Sequence, residues 1–468
     1  MISISSNHDF MNLEEKIRRF FEMAGMKTLN LAERWEGIPG APVFTVNGIY
    51  TQRGWTDWTE GFQYGNAILI YEATRDPRLL DYARKKTREK MAIHVSHMGV
   101  HDHGFNIMST YGNLLRLART GLIDADTWEK EYYLLAIKLS GAVQARRWTS
   151  LHEKLGYIYS FNGPHSLFAD TIRSLRVLGA SHMAGHYLKT EQDETVNLLE
   201  RLLAHAETTA RYIVFEGKGR DRWDVRGRVA HEAIFNPLNG SYRCPSSQQG
   251  YSAFTTWTRA LAWIILGFAE ELEFISMLDD EAIQSLELPF AKTKAEVIER
   301  FTEVSRACAD YFIEYTAPNG IPYWDTGAPN LHKLGDYLMK NPDPYNPWEP
   351  VDSSAAAIAA QGLLRLGLFL KERQIPDTVK YLGCAITVSQ TLFSDEYISL
   401  HEKHEGLLLH AVYHVPNNWD NPSSKSSLPA GESCMWGDYH MLELARCIQQ
   451  INSGLKQPSF FDGILEAD

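Results

Sequence analysis

Two aspartates in the sequence lie in surroundings that suit acid–base chemistry. Asp102 stands between His101 and His103, directly before a predicted helix, and Asp170 follows Phe168 at the entry to an apolar helix. Apolar neighbours desolvate a carboxyl group and raise its pKa, whereas nearby donors and imidazolium charge favour the ionised form. We therefore predict that Asp170 donates a proton and that Asp102 is its ionised partner.

Each aspartate also has a purely structural interpretation. An aspartate directly before a helix is a preferred N-cap residue, and either Asp102 or Asp170 could serve only as a cap. The two histidines beside Asp102 could suggest a metal site, but a single His-x-His without a converging third ligand is a weak signal. We therefore predict no metal site and no cofactor.

A third group of residues could recognise an acidic ligand. Arg259 and Trp263 are four residues apart in a predicted helix and so share one face of it. A guanidinium group can bind a carboxylate through two parallel hydrogen bonds, and an indole ring offers a flat stacking surface. The alternative is that Arg259 is the partner in a structural ion pair.

The elements that must position these residues are helices almost throughout. Apolar residues recur at positions i, i+3, i+4 and i+7 in about twelve windows, whereas strand-like runs are confined to loops. The windows are Leu13–Leu31, Tyr64–Tyr71, Leu79–Ile93, Met108–Arg119, Trp128–Ala145, Thr171–Tyr187, Thr195–Val214, Thr255–Ile275, Ala295–Tyr315, Ser354–Phe369, Thr378–Leu392 and Met435–Ile451.

Helix–turn–helix segments recur along the chain, which favours a closed array of helix pairs. We predict an all-α fold of the (α/α)6 toroid type, in one catalytic domain over residues 1–468. An N-terminal extension of about 1–35 and a C-terminal tail of about 454–468 flank its core. An open α-solenoid is the alternative, but it would lack the long aromatic-rich loops found here. In a toroid, such loops gather at one end and form a deep pocket.

Composition excludes several classes of function. The 468 residues carry a net charge of −12 without a basic stripe, which argues against a nucleic-acid partner. We find no uncharged apolar run of about 18 residues, so we predict no membrane association. The five cysteines form no Cys-x-x-Cys pair, and residues 1–16 do not resemble a secretory signal, so we expect a cytoplasmic protein. The 12 Trp and 22 Tyr suit a carbohydrate site, although aromatic residues more often fill cores.

Nine short motifs between about residues 55 and 445 together resemble one family, the unsaturated glucuronyl hydrolases (glycoside hydrolase family 88). The motifs follow the family's order and are Asp57-Trp58-Thr59-Glu60-Gly61-Phe62, Tyr71-Glu72-Ala73-Thr74, His-Asp-x-Gly-Phe at 101–105, Gln249-Gly250-Tyr251, Trp257-x-Arg259-x-x-x-Trp263, Tyr323-Trp324-Asp325, Asp352-Ser353-Ser354, Gly-Leu-Leu-Leu-His at 406–410 and Trp-Gly-Asp-Tyr at 436–439.

The resemblance implies a fold, a reaction and a set of site residues. The family folds as an (α/α)6 toroid and removes a 4,5-unsaturated uronic acid from the non-reducing end of oligosaccharides left by polysaccharide lyases. Its catalytic aspartates match Asp102 and Asp170. Its substrate-binding positions match Trp58, His101, His231, Gln249, Arg259 and Trp263, and we add Phe161, where the family usually has Trp, and Trp436. The family often has histidine where this chain has Gln248.

The implied reaction is hydration of a vinyl ether. Asp170 would protonate C4 of the sugar, ionised Asp102 would stabilise the positive charge that develops at C5, and water would then add at C5. The resulting hemiketal opens and releases the rest of the oligosaccharide. One alternative is an exo-acting β-glucuronidase that uses the same aspartates on saturated glucuronides. The other is a non-catalytic sugar-binding helical protein.

Overall fold

The computed structural model describes residues 1–5, 10–54, 57–417, 419–422, 428–455, 459, 461, 463 and 464. Its α-helices are α1 (Glu14–Trp35), α2 (Glu60–Thr74), α3 (Pro77–Lys90), α4 (Ala92–Val95), α5 (His103–Ile107), α6 (Asn113–Arg119), α7 (Thr127–Arg146), α8 (Thr171–Ser174), α9 (Arg176–Met183), α10 (Leu198–Tyr212), α11 (Thr258–Met277), α12 (Asp280–Gln284), α13 (Lys294–Glu314), α14 (Ser353–Glu372), α15 (Thr378–Leu392) and α16 (Met435–Asn452). A π-helical turn over Met108–Gly112 joins α5 to α6.

The helices form two concentric rings. In the inner ring α2, α5–α6, α8–α9, α11, α14 and α16 each pack against the next, and α16 closes the ring against α2. The outer helices α1, α3, α7, α10, α13 and α15 pack around them. Each of the twelve predicted helical windows overlaps one or more of these helices. Because α1 packs on α2 and α16, the predicted N-terminal extension contains an outer helix of the ring.

The inner and outer helices differ in how they meet solvent. Ser353 through Leu370 of α14 are all buried, whereas α3 and α13 bury one face and expose the other. The outer helices α3 and α13 are therefore amphipathic, whereas the inner helix α14 is buried on all sides. Among the described residues only α14 is long and apolar enough to cross a membrane, and its most apolar stretch is entirely buried inside the toroid.

Short antiparallel strands lie in the connections, as the sequence predicts. They are β1 (Pro42–Val46), β2 (Ile49–Gln52), β3 (Trp148–Ser150), β4 (Gly156–Ile158), β5 (Ser166–Phe168), β6 (Leu188–Lys189), β7 (Thr195–Val196), β8 (Glu232–Phe235) and β9 (Tyr242–Ser246). Three of them form a sheet in the order β5–β8–β9, in which Phe168 pairs with Glu232 and Glu232 with Ser246. This sheet brings the entry to α8 beside the loop that leads into α11.

Buried ion pairs hold inner helices together. Arg173 of α8 contacts Glu270 of α11 at 3.0 Å and Glu443 of α16 at 2.8 Å, and both Arg173 and Glu270 are fully buried. Removing one member of a buried pair typically costs about 3–5 kcal/mol, because the other charge is left without a partner. The pairs therefore fix the relative positions of three helices that carry site residues.

Candidate active site

A cavity of about 890 Å³ opens at one end of the inner ring. Its volume falls in the range of ligand pockets, about 300–1,000 Å³. Most of the residues predicted for the site line it, namely Trp58, His101, Asp102, Phe161, Asp170, Gln249, Arg259 and Trp263. His231 and Trp436 lie behind this lining.

A close contact between two helices brings the two aspartates together. Asp102 directly precedes α5 and Asp170 directly precedes α8, and α5 packs on α8. A Cβ atom on Gly104 would lie only 2.1 Å from the carbonyl oxygen of Ser174, so a larger residue would push the helices apart. The backbone N–H of Gly104 donates to the hydroxyl of Ser174 at 2.8 Å. Gly104 is therefore needed for this helix contact rather than for a turn.

The aspartates do not act as helix caps. Neither Asp102 nor Asp170 makes a side-chain capping hydrogen bond, although both occupy the N-cap position. Their carboxylate oxygens and a ring nitrogen of His101 all lie within 4.8 Å of one another. His101 Nε2 is 3.7 Å from Asp102 Oδ1 and 3.5 Å from Asp170 Oδ1. The structural alternative is thus not supported, and His101 bridges the pair.

The pKa shifts of the pair run opposite to the sequence prediction. Burial raises the pKa of Asp102, and the negative charge of Asp170 adds to that effect. Burial also raises the pKa of Asp170, but the imidazoles of His101 and His231 outweigh it and lower the pKa overall. Desolvation raises the pKa of Asp170 as predicted, but the net shift is downward, so the predicted overall rise is wrong for the protein without substrate.

His101 lies between the two carboxylates, and its pKa is raised. Burial lowers its pKa, but the charges of Asp102 and Asp170 outweigh burial and raise it. The ring of Phe161 stacks on the imidazole at 6.2 Å with an angle of 16°, and Phe168 meets it edge-on at 5.6 Å. These two rings fix the imidazole between the carboxylates.

Arg259 does not present a free guanidinium group to a ligand. Its Nη1 donates to Asp352 at 2.8 Å and to the Val412 carbonyl oxygen, and its Nη2 donates to the Tyr413 carbonyl oxygen at 2.7 Å. The side chain is only 2% exposed. Arg259 thus ties the 412–413 segment to α11, as the ion-pair alternative predicts, while it also lines the cavity, so its contact with a substrate carboxylate stays a prediction.

Arg259 also orients an amide in the cavity. Its Nη2 donates to Gln249 Oε1 at 3.2 Å, which fixes that oxygen and turns the Gln249 NH₂ group away from the arginine. Gln248 lies beside it in the cavity lining. Neutral amide donors thus line the cavity beside Arg259 on this side.

His231 lies behind the cavity wall and does not line it. Its Nδ1 accepts a hydrogen bond from the backbone N–H of Gln248 at 2.9 Å, and burial lowers its pKa to about 4. A neutral ring that accepts at Nδ1 carries its proton on Nε2. The ring packs between Phe168 at 4.6 Å and Trp257 at 5.0 Å. The predicted direct contact of His231 with substrate is corrected to an influence on Asp170.

Trp436 is likewise not a contact residue. It is fully buried, and its indole N–H donates to Ser354 at 3.1 Å. The Trp58 ring, which does line the cavity, stacks on it at 5.1 Å. Trp436 therefore supports Trp58 from behind, while Trp263, packed on Phe105 at 5.1 Å, forms another part of the wall.

Several lining residues were not predicted from sequence. His97, Tyr413, His414 and Trp419 complete the cavity wall. The last three lie in the long loop 395–437, whose aromatic content was the available signal. Tyr413 contacts Trp436 at 4.9 Å, so the loop is anchored on α16.

Three possible metal ligands lie together in the site, so the predicted absence of a metal needs an experimental test. His101, Asp102 and Asp170 are close enough to hold a metal ion. We nevertheless expect full activity after extensive treatment with a chelator, because the cavity around these residues is lined by aromatic rings, amides and an arginine, which suit a sugar acid better than a cation. The measurement is turnover before and after chelation. Loss of activity that a divalent ion restores would make the trio a metal site.

No family model matches the chain. Known proteins that it resembles are named as hydrolases of unsaturated glucuronyl or chondroitin substrates. It is 26% identical over 399 residues to the unsaturated glucuronyl hydrolase of Bacillus sp. (strain GL1), covering 83% of this chain and 85% of that protein. It is 25% identical over 413 residues to the unsaturated chondroitin disaccharide hydrolase of Streptococcus agalactiae serotype III (strain NEM316), covering 85% and 83%. The crystal structure of the Bacillus enzyme matches with a TM-score of 0.68 at 22% identity, over 93% of this chain and 96% of that one. The predicted (α/α)6 toroid is confirmed.

Proposed function

We infer that this chain, which belongs to the unsaturated glucuronyl hydrolase family, removes a 4,5-unsaturated uronic acid from the non-reducing end of oligosaccharides. The observation that carries this inference is the Asp102–His101–Asp170 cluster in an aromatic-lined cavity. The carboxylates supply acid–base chemistry, and the flat rings suit the apolar faces of sugars. The relatives are named for unsaturated glucuronyl and unsaturated chondroitin substrates, and the same class of substrate is proposed here.

Asp170 is the better placed of the two carboxyls to transfer a proton. Its side chain is 15% exposed against 9% for Asp102, so it is the more accessible from the cavity. Its Oδ1 is buried 3.5 Å from His101 Nε2 and makes no hydrogen bond to any described residue. Proton transfer to C4 leaves positive charge at C5, which the Asp102 carboxylate stabilises. Water then adds at C5, a carboxylate accepts its proton, and the hemiketal opens to release the remaining oligosaccharide.

A bound substrate changes the electrostatic environment of the two aspartates. Without substrate the pKa of Asp102 is raised and that of Asp170 is lowered. A uronate carboxylate bound near Asp170 adds negative charge there and raises the pKa of that group. The substrate thus favours protonated Asp170, which is the form that donates the proton. A saturated sugar lacks the alkene that accepts this proton, and an uncharged sugar lacks the carboxylate that raises the pKa.

The test of this function compares two disaccharides that differ only in the C4–C5 double bond. We expect the protein to consume the unsaturated compound, measured as loss of the ultraviolet absorbance of the conjugated double bond together with release of the second sugar. The saturated glucuronide should remain intact. Comparable release from both compounds would instead indicate a β-glucuronidase, and binding without turnover would indicate a sugar-binding protein.

A further inference from the structure

Two aromatic rings outside the cavity are exposed side by side. Trp223 and Phe254, here called the outer aromatic pair, are 48% and 43% exposed. Their ring centroids lie 4.5 Å apart with an angle of 33° between the planes. They pack on each other yet leave much of their apolar area in water, which is unfavourable. Adjacent exposed rings of this kind are typical of a binding surface rather than of a core.

The outer aromatic pair lies next to the rim of the cavity. Tyr251 lines the cavity and is 50% exposed, and Phe254 follows it by three residues. The turn between them is closed, since the Ser252 N–H donates to the Thr255 hydroxyl at 3.2 Å and the Phe254 N–H to the Ser252 hydroxyl at 3.1 Å. Three residues span at most about 10 Å, so the pair lies close to the cavity rim.

The charge next to the pair suits an anion. Arg222 directly precedes Trp223 and is exposed, and no ion pair joins it to a carboxylate in the described part of the chain. The protein as a whole carries a net charge of −12, so an exposed arginine without an acidic partner differs from its general surface. A guanidinium group binds carboxylate and sulfate oxygens through parallel N–H donors.

We propose that Trp223 and Phe254 form an outer sugar-binding surface that holds the units of an acidic oligosaccharide which extend beyond the cavity. The inference rests on the proposed function, which places the unsaturated end of the substrate at Asp170. The remaining units leave past Tyr251 and stack their C–H faces on the outer aromatic pair. The surface therefore favours longer oligosaccharides, and the reaction itself takes place at Asp102 and Asp170.

The test compares an unsaturated disaccharide with an unsaturated hexasaccharide of the same repeat. For Trp223→Ala and for Phe254→Ala we expect KM for the hexasaccharide to rise about 3- to 10-fold, the size of an aromatic stacking contribution, with kcat unchanged. Both constants for the disaccharide should stay the same. Trp223→Phe should retain most of the hexasaccharide affinity, because it keeps a ring. Trp128→Ala is the matched control, since Trp128 is 80% exposed on α7 and outside the cavity lining.

The outcomes separate this inference from the proposed function. Equal losses on both substrates, or no change on the hexasaccharide, would overturn the outer surface and leave the proposed function intact. A Trp128→Ala effect as large as that of Trp223→Ala would also overturn it. If the unmodified protein consumed neither substrate, the proposed function would fall, and this inference with it.

Discussion

Replacing Asp170 with asparagine is expected to lower kcat by about 10³-fold or more while leaving substrate affinity nearly unchanged. General acid–base catalysis contributes about 10²–10⁴-fold, and an amide cannot donate a proton to C4 with comparable ease. The substitution keeps the size of the side chain, so the cavity should still bind an unsaturated disaccharide. The measurement is kcat from loss of ultraviolet absorbance, with the dissociation constant from calorimetric titration of the inactive variant.

The control for this variant is Asp81→Asn, which removes one negative charge from an exposed position on α3. It should retain normal kcat, so that the effect at Asp170 cannot be assigned to net charge. Near-normal turnover by the Asp170 variant would contradict its assignment as the proton donor.

The pH dependence of the unmodified protein provides a second check on Asp170. A proton donor must be protonated, so activity falls as pH rises through its pKa. In the free protein the pKa of Asp170 is lowered by His101 and His231, whereas the anionic substrate raises it. The basic limb of kcat, which reports the complex, should therefore lie at higher pH than the basic limb of kcat/KM. Coincident basic limbs would contradict the proposed effect of the substrate.

Replacing Asp102 with asparagine is expected to lower kcat by about 10²–10³-fold for a different reason. The variant loses the negative charge that stabilises the cation at C5, an effect of the size found when a transition-state stabilising group is removed. Asp102 must be ionised to act, so activity falls as pH drops through its pKa. Because burial raises that pKa, the acidic limb of the unmodified protein should lie above the usual carboxyl range.

The acidic limb should flatten in Asp102→Asn, since the group that titrates there is gone. Full pH profiles of both aspartate variants measure this. If Asp102→Asn instead lost only the basic limb, the two roles would be reversed, with Asp102 as donor. Because the pKa of Asp102 is raised and that of Asp170 is lowered in the free protein, this reversal is the main alternative, and the two profiles must be recorded together.

Local sequence patterns were enough to predict the long helices and eight of the residues that line the cavity. Amphipathic periodicity is a property of consecutive residues, so windows such as Thr378–Leu392 coincide with the helix in the structure. The two aspartates could be identified because each directly precedes a helix and therefore lies near a loop. The short helix α5 was not predicted, because about one turn gives too little periodicity to detect. The π turn Met108–Gly112 lies inside the predicted window Met108–Arg119, but its π geometry was not predicted.

Properties that depend on distant partners could not be predicted in the same way. The pKa of Asp170 follows from His101 and His231, which are remote in sequence, and its apolar neighbours alone gave the wrong direction. Arg259 lies on the expected helix face, but Asp352 and two carbonyl oxygens occupy its donors. Trp436 belongs to a family-like motif, yet only the packing of Trp58 in front of it shows that it is buried.

The most direct test of the central claim is to trap the site of attack with methanol. In a mixture of water and methanol, protonation of C4 by Asp170 creates the cation at C5, so methanol should add at C5 and give a methyl ketal. That product has lost the double bond but still carries the second sugar, and mass spectrometry with NMR identifies it. The account predicts this ketal with the unmodified protein and its absence with Asp170→Asn. A methyl glycoside at C1 that retains the double bond, formed as the second sugar is released, would contradict it.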